Sequence, residues 1–471
     1  MVRWNRDVDT LATVLSDESG VKGSCLGLVR PADRHDVQEI VRECAGLGRK
    51  LLPVGEQTAT TGAAVPQDDW VLSARKLAGV VDIDRERLLV EVLPGTITAE
   101  VKRAGAAEGL YYPPDPTSEN ECSIGGNIAS NASGARTFRW GMTRPWVEGL
   151  EVVFGTGETH TFWRRTPDKN TAGYGPFQDP VDLFVGSEGT LGVITRGWLK
   201  LVPDPGPFIA VVVFFPTLID ALKVSVGYRN GSIPGNPRCV ELFDRQALNY
   251  VAAHPSKPDI PNTADSGLYL EFDETEGGLE ETLERRVFAL KGHDAMVDET
   301  LVASTDADKK LIRELRHLVP ESGNAEAKRY HTAGGLKVST EFAVPIHRLL
   351  EIMAFVEETA RASGVDLLAR YGHVGNGHPH IFMRGRSLEE VARLKLLAHR
   401  WCQRAVEMGG TVSGEHGIGK TRRDFLRYAY PPTVIEAMRA VKCVFDPVGI
   451  FARGNIFPET ESLVPEFFGD L

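Results

Sequence analysis

Hydrophobic and polar positions in the first third of the chain predict short strands joined by amphipathic helices and tight turns. Residues 25–30 and 51–54 are apolar runs of strand length. Asp33 stands where its side chain would cap a helix, because apolar residues recur after it at helical spacing. The apolar positions of that helix are Val37, Ile40, Val41 and Cys44.

Two hairpins are predicted further along the same third of the chain. Residues 80–84 and 88–92 alternate between apolar and polar on either side of a charged turn, Arg-Glu-Arg. Residues 150–163 form a second such pair, which turns at Gly-Thr-Gly. Hairpins of this kind indicate an antiparallel sheet.

The pattern changes after residues 203–207 (Pro-Asp-Pro-Gly-Pro), which predict a linker. Longer strands then alternate with amphipathic segments. The strands are 208–215 and 267–272, and the amphipathic segments are 217–229, 275–291 and 346–362. We therefore expect an α+β protein in which the first domain spans 1–204 and the second 205–422. The remaining segment, 423–471, is expected to return to the first domain.

Composition narrows the class of protein. The formal charge of −11 over 471 residues argues against a nucleic-acid partner. No Cys-x-x-Cys occurs among the six cysteines, which excludes the common iron–sulfur spacings and predicts reduced thiols in a cytoplasmic protein. Peripheral attachment to a membrane stays open. The first residues, Met-Val-Arg-Trp-Asn-Arg-Asp, include no apolar stretch, so we expect no secretory signal. The longest apolar run, 208–215, is too short to span a bilayer, so we expect no transmembrane segment.

Three glycine-rich loops, each bounded by strand-like segments, predict a site for a large phosphorylated ligand. They are residues 53–62, residues 113–134 and residues 186–195. Small residues leave backbone N–H groups free to face an anion and let the chain approach a ligand closely. Neither of the two common nucleotide fingerprints, Gly-x-Gly-x-x-Gly and Gly-x(4)-Gly-Lys-Ser/Thr, matches the first loop.

Two further loops carry metal-ligand chemistry. Residues 372–380 read Gly-His-Val-Gly-Asn-Gly-His-Pro-His, and residues 413–419 read Ser-Gly-Glu-His-Gly-Ile-Gly. Imidazoles and one carboxylate are the ligand set of a catalytic divalent ion. A glycine-rich turn could bring His373 and His380 together, and Glu415 would complete three ligands while leaving positions open for substrate. Satisfied core or surface histidines are the alternative.

Together the three glycine loops resemble the FAD-binding domain of the vanillyl-alcohol oxidase / p-cresol methylhydroxylase flavoprotein superfamily. With the two histidine motifs, residues 20–457 are similar to its D-2-hydroxyacid dehydrogenase branch. That branch contains FAD-linked D-lactate and D-2-hydroxyglutarate dehydrogenases and the flavin subunit of glycolate oxidase. The resemblance implies a two-subdomain FAD-binding domain plus an α+β substrate (cap) domain with an antiparallel sheet.

The resemblance also assigns residues to FAD. The pyrophosphate would lie at Gly55, Gln57, Thr58 and Gly62. The rest of the cofactor would be lined by Ser118, Gly125, Gly126, Asn131, Ser133, Gly134, Glu188, Gly189, Gly192 and Ile194. Some relatives attach flavin to a histidine of the first loop, but no histidine lies between residues 36 and 159. We therefore expect non-covalent FAD.

The implied reaction is oxidation of a D-2-hydroxyacid, of the D-lactate or glycolate type, to the 2-oxoacid. The resemblance assigns the metal to His373, His380 and Glu415, with zinc expected and Mn²⁺ and Fe²⁺ left open. It assigns the general base to His416. Arg316 and Lys337 are the candidates for binding the substrate carboxylate.

Two positions depart from the family pattern. His378 stands where asparagine is usual, so it could be a fourth ligand, a hydrogen-bond donor near the ligands or a subfamily variation. Phe382 stands where the D-2-hydroxyglutarate branch has asparagine to contact its substrate, which argues against that dicarboxylate.

Electrons would pass to an external acceptor, since the chain has no iron–sulfur segment. The candidates are a quinone, a cytochrome, an electron-transfer flavoprotein and a partner iron–sulfur subunit. Two alternative reactions stay open. One is a non-redox, flavin-dependent reaction like that of alkyl-dihydroxyacetonephosphate synthase. The other is metal-dependent hydrolysis, which would leave the glycine loops without a purpose.

Overall fold

The computed structural model describes residues 2–165, 167–255, 258–365 and 367–457. The strands are β1 (Ser24–Val29), β2 (Leu51–Val54), β3 (Gln67–Ser73), β4 (Val80–Asp84), β5 (Leu89–Val92), β6 (Leu110–Tyr111), β7 (Val147–Val153), β8 (Thr159–Trp163), β9 (Val193–Lys200), β10 (Val202–Pro203), β11 (Phe208–Phe215), β12 (Cys239–Asp244), β13 (Ser266–Asp273), β14 (Met296–Ala303), β15 (Gly334–Ser339), β16 (Leu367–Gly372) and β17 (His380–Ser387). The α-helices are α1 (Val8–Ala12), α2 (Arg34–Leu47), α3 (Thr98–Ala107), α4 (Ile124–Ser130), α5 (Thr137–Trp140), α6 (Gly175–Gln178), α7 (Val181–Phe184), α8 (Leu218–Asn230), α9 (Arg245–Ala252), α10 (Gly278–Arg286), α11 (Asp306–Lys328), α12 (Leu349–Ala362), α13 (Leu388–Glu407), α14 (Leu426–Ala429) and α15 (Pro432–Phe445).

The first half of the chain builds two larger sheets and one small antiparallel pair, β6–β10. β1, β3 and β2 form a parallel sheet in that order, and β4-β5-β9-β7-β8 form an antiparallel one. Both predicted hairpins are confirmed, as β4–β5 and β7–β8. Asp33 caps α2 by accepting a hydrogen bond from the backbone N–H of Asp36, and the four apolar positions predicted for this helix are all buried. This is the two-subdomain arrangement that the resemblance implies.

The second half builds one seven-stranded antiparallel sheet, in the order β14-β11-β13-β12-β16-β17-β15. Its central strands are buried on both faces; seven of the eight residues of β11 are buried. Helices α8, α12 and α13 cover one face and build the largest apolar cluster, while α9 and α11 pack on the other. The expected α+β fold with an antiparallel sheet in its second part is therefore confirmed.

The C-terminal segment begins against the second half and ends against the first. Phe425 and Tyr428 still pack on the large apolar cluster. Lys442, on α15, donates from Nζ to the carbonyl of Thr190, and Phe451, beyond that helix, pairs with Leu51 of the parallel sheet. Residues 458–471, part of the predicted returning segment, lie outside the described residues. The division at residues 204 and 422 stays a prediction.

Two ion pairs join α5 and the residue before it to β13. Arg136 Nε lies 2.8 Å from Glu271 Oε2, and both side chains are buried. Arg139 Nη1 lies 2.6 Å from the half-exposed Asp273. These contacts hold the two halves together beside the cavity described below. Among the described residues, no helix combines the length and the apolar character that crossing a membrane requires.

Candidate active site

A β-hairpin brings the two predicted histidine ligands together. His373 directly follows β16, and His380 is the first residue of β17, where it pairs with Tyr371. The intervening loop makes one 3₁₀ turn, Val374–Asn376, before the chain reverses. Neighbouring antiparallel strands thus bring together two histidines that are seven positions apart in sequence, as the glycine content of the loop predicted.

Glu415 reaches the same point from the loop that follows α13. Its Oε2 atom lies 3.1 Å from Nε2 of His373 and 3.5 Å from Nε2 of His380. Candidate ligand atoms of these three residues all lie within 4.8 Å of one another. The structure therefore assembles the triplet that the sequence singled out.

Two carboxylates that the sequence analysis missed complete this cluster. Glu241, on β12, lies 2.7 Å from Nδ1 of His373, and Glu341 lies 2.8 Å from Nδ1 of His416. Both glutamates are only 3% exposed. Glu241 lies between Val240 and Leu242, and Glu341 is followed directly by Phe342, so an acidic residue among apolar ones is the signal that could have found them.

The electrostatics of the cluster are dominated by three carboxylates, of which Glu241 and Glu341 are buried and Glu415 is partly buried. Burial alone would raise the pKa of Glu241, Glu341 and Glu415, yet nearby cationic groups hold each pKa below its ordinary value. Burial alone would lower the pKa of His373 and His416, and these same carboxylates raise both. The cluster is therefore an anionic pocket that favours positive charge.

A divalent cation fits this donor set. The atoms Oε2 of Glu341 and Nε2 of His378 are buried and have no hydrogen-bond partner within the described part of the chain. Buried polar atoms usually have a partner, so these two point to an additional group between them. Imidazole nitrogens and carboxylate oxygens are ligands of zinc, manganese and iron.

The two predicted substrate cations lie beside the cluster in different environments. Arg316 donates to Oε2 of Glu241 at 2.8 Å. Lys337 Nζ stands 3.7 Å from the ring centroid of Phe382, and burial lowers its pKa to about 8. The carboxylate of Glu341 offsets this effect in part, and that carboxylate is already paired with His416. The charge of Lys337 is therefore less engaged by other protein groups than the charge of Arg316.

One cavity of about 1280 Å³ contains both predicted sites. His373, His380, Glu415, His416, Arg316 and Lys337 line one part of it. Most of the predicted FAD residues line the rest, namely Gly55, Gln57, Thr58, Ser118, Gly125, Gly126, Ser133, Glu188, Gly189, Gly192 and Ile194. Gly62, Asn131 and Gly134 are not part of this lining.

The loops that line the cavity fit a phosphorylated cofactor. The Oγ atom of Ser123 is buried in the lining and has no hydrogen-bond partner in the described parts of the chain. It lies close to the backbone of Gly55 and Gly126. The Gln57 side chain is used internally, since its amide donates to three backbone carbonyls. Any contact of Gln57 with a cofactor phosphate would therefore come from its backbone.

Glu188 ties the third glycine loop to the loop that carries Glu415 and His416. Its carboxylate accepts from the backbone N–H groups of Ile418 at 2.7 Å and Gly419 at 2.8 Å. Burial raises the pKa of Glu188 to about 7. This contact is a direct mechanical link between the predicted cofactor site and the predicted metal site.

His378 is fully enclosed next to the cluster. Its Nδ1 atom lies 2.8 Å from the carbonyl oxygen of Phe342, and burial lowers its pKa to about 4. The sequence left the role of this residue open.

Comparisons with known proteins identify relatives of both halves of the chain. The family described as FAD linked oxidases, C-terminal domain, matches residues 207–456, and the FAD binding domain family matches residues 25–162. Glycolate oxidase subunit GlcD of Bacillus subtilis is 29% identical over 91% of this chain and 88% of its own. D-lactate dehydrogenase of Anaerostipes hadrus is 29% identical, covering 91% and 89%. The probable mitochondrial D-lactate dehydrogenase of Danio rerio is 30% identical, covering 92% and 85%.

A likeness to a solved structure supports the architecture. An alkyldihydroxyacetonephosphate synthase matches with a TM-score of 0.67 at 18% identity, covering 92% of this chain and 77% of that one. At this identity the likeness bears on the fold alone.

Proposed function

Because this chain belongs to the FAD-linked D-2-hydroxyacid dehydrogenase family, we propose that it oxidises a small D-2-hydroxyacid to the 2-oxoacid. The substrate is of the D-lactate or glycolate type, the FAD is held without a covalent bond, and a divalent cation is required. The two electrons then leave to an external acceptor.

The observation that carries this proposal is the shared cavity. The glycine loops and the histidine–glutamate cluster line one continuous space, so a substrate held at the cluster would lie against the flavin. When bound, FAD and a divalent cation would supply the hydride acceptor and the positive charge that acidifies the substrate hydroxyl, respectively. A metal-dependent hydrolase would have no use for the FAD site formed by the glycine loops.

His416 is the group proposed to take the hydroxyl proton. Its Nδ1 atom lies against the carboxylate of Glu341, which can only accept, so Nδ1 carries the hydrogen. The opposite nitrogen, Nε2, is then free to accept a proton. The substrate hydroxyl would give its proton to Nε2, and C2 would give up a hydride to the acceptor that bound FAD would supply, which balances the two-electron oxidation.

Lys337 is proposed as the main partner of the substrate carboxylate, with Arg316 assisting. The charge of Arg316 is already paired with Glu241, whereas the charge of Lys337 lies over an aromatic ring. A carboxylate would therefore gain more by pairing with Lys337.

Phe382 favours a monocarboxylate. It lines the cavity, is 4% exposed and packs edge-on against Tyr371 at a centroid distance of 5.0 Å. An aromatic wall offers no hydrogen bond to a second carboxylate, which would stay unpaired if buried there.

The test is anaerobic addition of 2-hydroxyacids to the purified protein. We expect D-lactate or glycolate, but not L-lactate, to bleach the visible flavin band. D-2-hydroxyglutarate should be a poor substrate. Chelation should abolish reduction while the flavin stays bound, and restoring Zn²⁺, Mn²⁺ or Fe²⁺ one at a time should show which ion is used. Acid precipitation should release the flavin.

Matched variants separate the two parts of the proposal. His380→Asn should lose the cation and keep FAD, whereas His399→Asn, on a helix outside the cavity, should change neither. Bound FAD that no 2-hydroxyacid bleaches, with the cation in place, would contradict the proposed oxidation and favour the non-redox alternative.

A further inference from the structure

His378 is held in a single orientation by the chain around it. Its Nδ1 atom lies 2.8 Å from the carbonyl oxygen of Phe342. The ring also packs against Gly414, where an added Cβ would meet Nδ1 at 2.4 Å. A carbonyl oxygen only accepts hydrogen bonds, so Nδ1 must be the nitrogen that carries the hydrogen. Nε2 is then left with a lone pair.

That lone pair faces oxygen atoms without any donor between them. Nε2 of His378 lies 3.8 Å from Oε2 of Glu415 and 3.9 Å from Oε2 of Glu341. Nε2 is buried and has no hydrogen-bond partner within the described residues. Lone pairs and carboxylates repel one another, so this arrangement is favourable only with a positive centre among them.

The separations of the three imidazoles from Glu415 suit ligands of one cation. Two atoms bound to the same ion at about 2.1 Å stand roughly 3 to 4.2 Å apart, depending on the angle between them. The 3.8 Å separation of His378 and Glu415 falls in that interval, as do the separations of Glu415 from His373 and His380. Candidate ligand atoms of His378, His380 and Glu341 lie within 4.8 Å of one another in a second group that does not include His373, so binding of one ion by all four residues requires their side chains to close around it. His380 therefore belongs to both groups.

We propose that His378 Nε2 is a fourth protein ligand of the cation that His373, His380 and Glu415 bind. This inference rests on the metal dependence proposed above. The carbonyl of Phe342 would act as the partner that fixes the ligand nitrogen, as is usual for metal-bound histidine.

A fourth ligand changes which cation suits the site. A 2-hydroxyacid that binds through its carboxylate and hydroxyl occupies two positions, which brings the total to six. Zinc in proteins is usually four-coordinate, whereas manganese and ferrous iron accept six ligands readily. The site should therefore favour Mn²⁺ or Fe²⁺ over Zn²⁺ in the presence of substrate.

The experiment counts imidazoles directly. X-ray absorption of the wild-type protein loaded with Mn²⁺ or Zn²⁺ should give three imidazole ligands. His378→Phe, which keeps a ring of similar size, should give two, and its affinity for Mn²⁺ in a chelator competition should fall at least about tenfold. His399→Phe is the matched control, since His399 is a partly buried histidine that stacks on Phe425 away from the cluster.

The outcomes separate this inference from the function it rests on. A wild-type protein that binds no cation would refute the metal dependence itself. A wild-type protein with one cation, two imidazoles and unchanged affinity in His378→Phe would overturn only the role of His378. Two cations per chain would also overturn it, because His378 and Glu341 would then hold a separate ion. The wild-type spectrum alone decides the count if the variant does not fold.

Discussion

Nδ1 of His416 lies 2.8 Å from Oε1 of Glu341, a carboxylate that is 3% exposed and follows the end of β15. The contact joins two segments that are 75 positions apart in sequence, 341 and 416. Glu341 holds the imidazole by its Nδ1–H and leaves Nε2 to face the cavity. A base positioned in this way keeps one tautomer and one ring orientation, which is what proton transfer from a bound hydroxyl requires.

Glu341→Gln should therefore lower kcat by about 10- to 100-fold. Glutamine can present its NH₂ group to Nδ1, which would turn the imidazole or reverse its tautomer. Reduction of an artificial dye by D-lactate measures the loss. Glu389→Gln, at an exposed position of α13, is the control. Wild-type kcat in Glu341→Gln would show that His416 needs no such partner.

Lys337 should set an upper pH limit on substrate capture. Burial lowers its pKa to about 8, so the charge that binds the substrate carboxylate is lost as the pH rises through that value. We expect kcat/KM to fall above about pH 8, since this ratio reports groups of the free enzyme. Lys337→Arg, whose side chain stays charged, should remove this fall.

Lys337→Met tests the same contact without a pH change. Loss of a charge-assisted hydrogen bond, worth about 1.5–3 kcal/mol, should raise KM by about 10- to 100-fold. Lys310→Met, on the exposed face of α11, should leave KM as it is. If KM in Lys337→Met stayed at the wild-type value, the carboxylate would have to bind at Arg316 instead.

Much of the fold was predictable because its signals are local. The cap at Asp33, the β7–β8 hairpin and the buried strand β11 each depend on residues within a few positions of one another. The histidine ligands were accessible for the same reason, since one hairpin closes the distance between them.

Glu241 and Glu341 were not accessible, because their roles arise from pairing between distant strands. Glu241 contacts His373 only because β12 lies next to β16 in the sheet.

The role of small residues in the glycine loops was ambiguous for a related reason. An added Cβ at Gly134 would lie 1.8 Å from the carbonyl oxygen of Asp115, so this glycine is needed for packing of the chain against itself. A sequence does not distinguish that need from contact with a ligand.

Glu188 should make the stability of the apoprotein fall with rising pH. Burial raises its pKa from 4.5 to about 7, so between these values the folded state binds more protons than the unfolded state. Stability contributed by the neutral form is present below pH 4.5 and is lost as the pH rises through about 7. Glu188→Gln removes this titration.

Between about pH 5 and about pH 8, the wild type should lose about 2–3 kcal/mol of unfolding free energy relative to Glu188→Gln. Urea unfolding across that range measures it. Glu86→Gln, at an exposed turn, should give a constant difference. A constant difference for Glu188→Gln as well would mean that the bonds from Ile418 and Gly419 keep this carboxylate ionised.

The ion pair of Arg136 and Glu271 should contribute more to the free energy of unfolding than the neighbouring pair of Arg139 and Asp273. Both side chains are buried, and Glu271 also accepts a hydrogen bond from Tyr269 at 2.7 Å. Arg136→Met would leave this carboxylate buried without its cation, which should cost about 3–5 kcal/mol in urea unfolding. Arg139→Met is the matched control, because its partner Asp273 is 43% exposed and such pairs contribute about 0–1 kcal/mol.

The double variant Arg136→Met, Glu271→Gln decides whether charge is the cause. Glutamine keeps an oxygen for the Tyr269 hydroxyl and carries no charge, so it should recover much of the loss seen in Arg136→Met alone. A double variant as unstable as the sum of the two single variants would mean that the two side chains contribute independently, through packing rather than pairing.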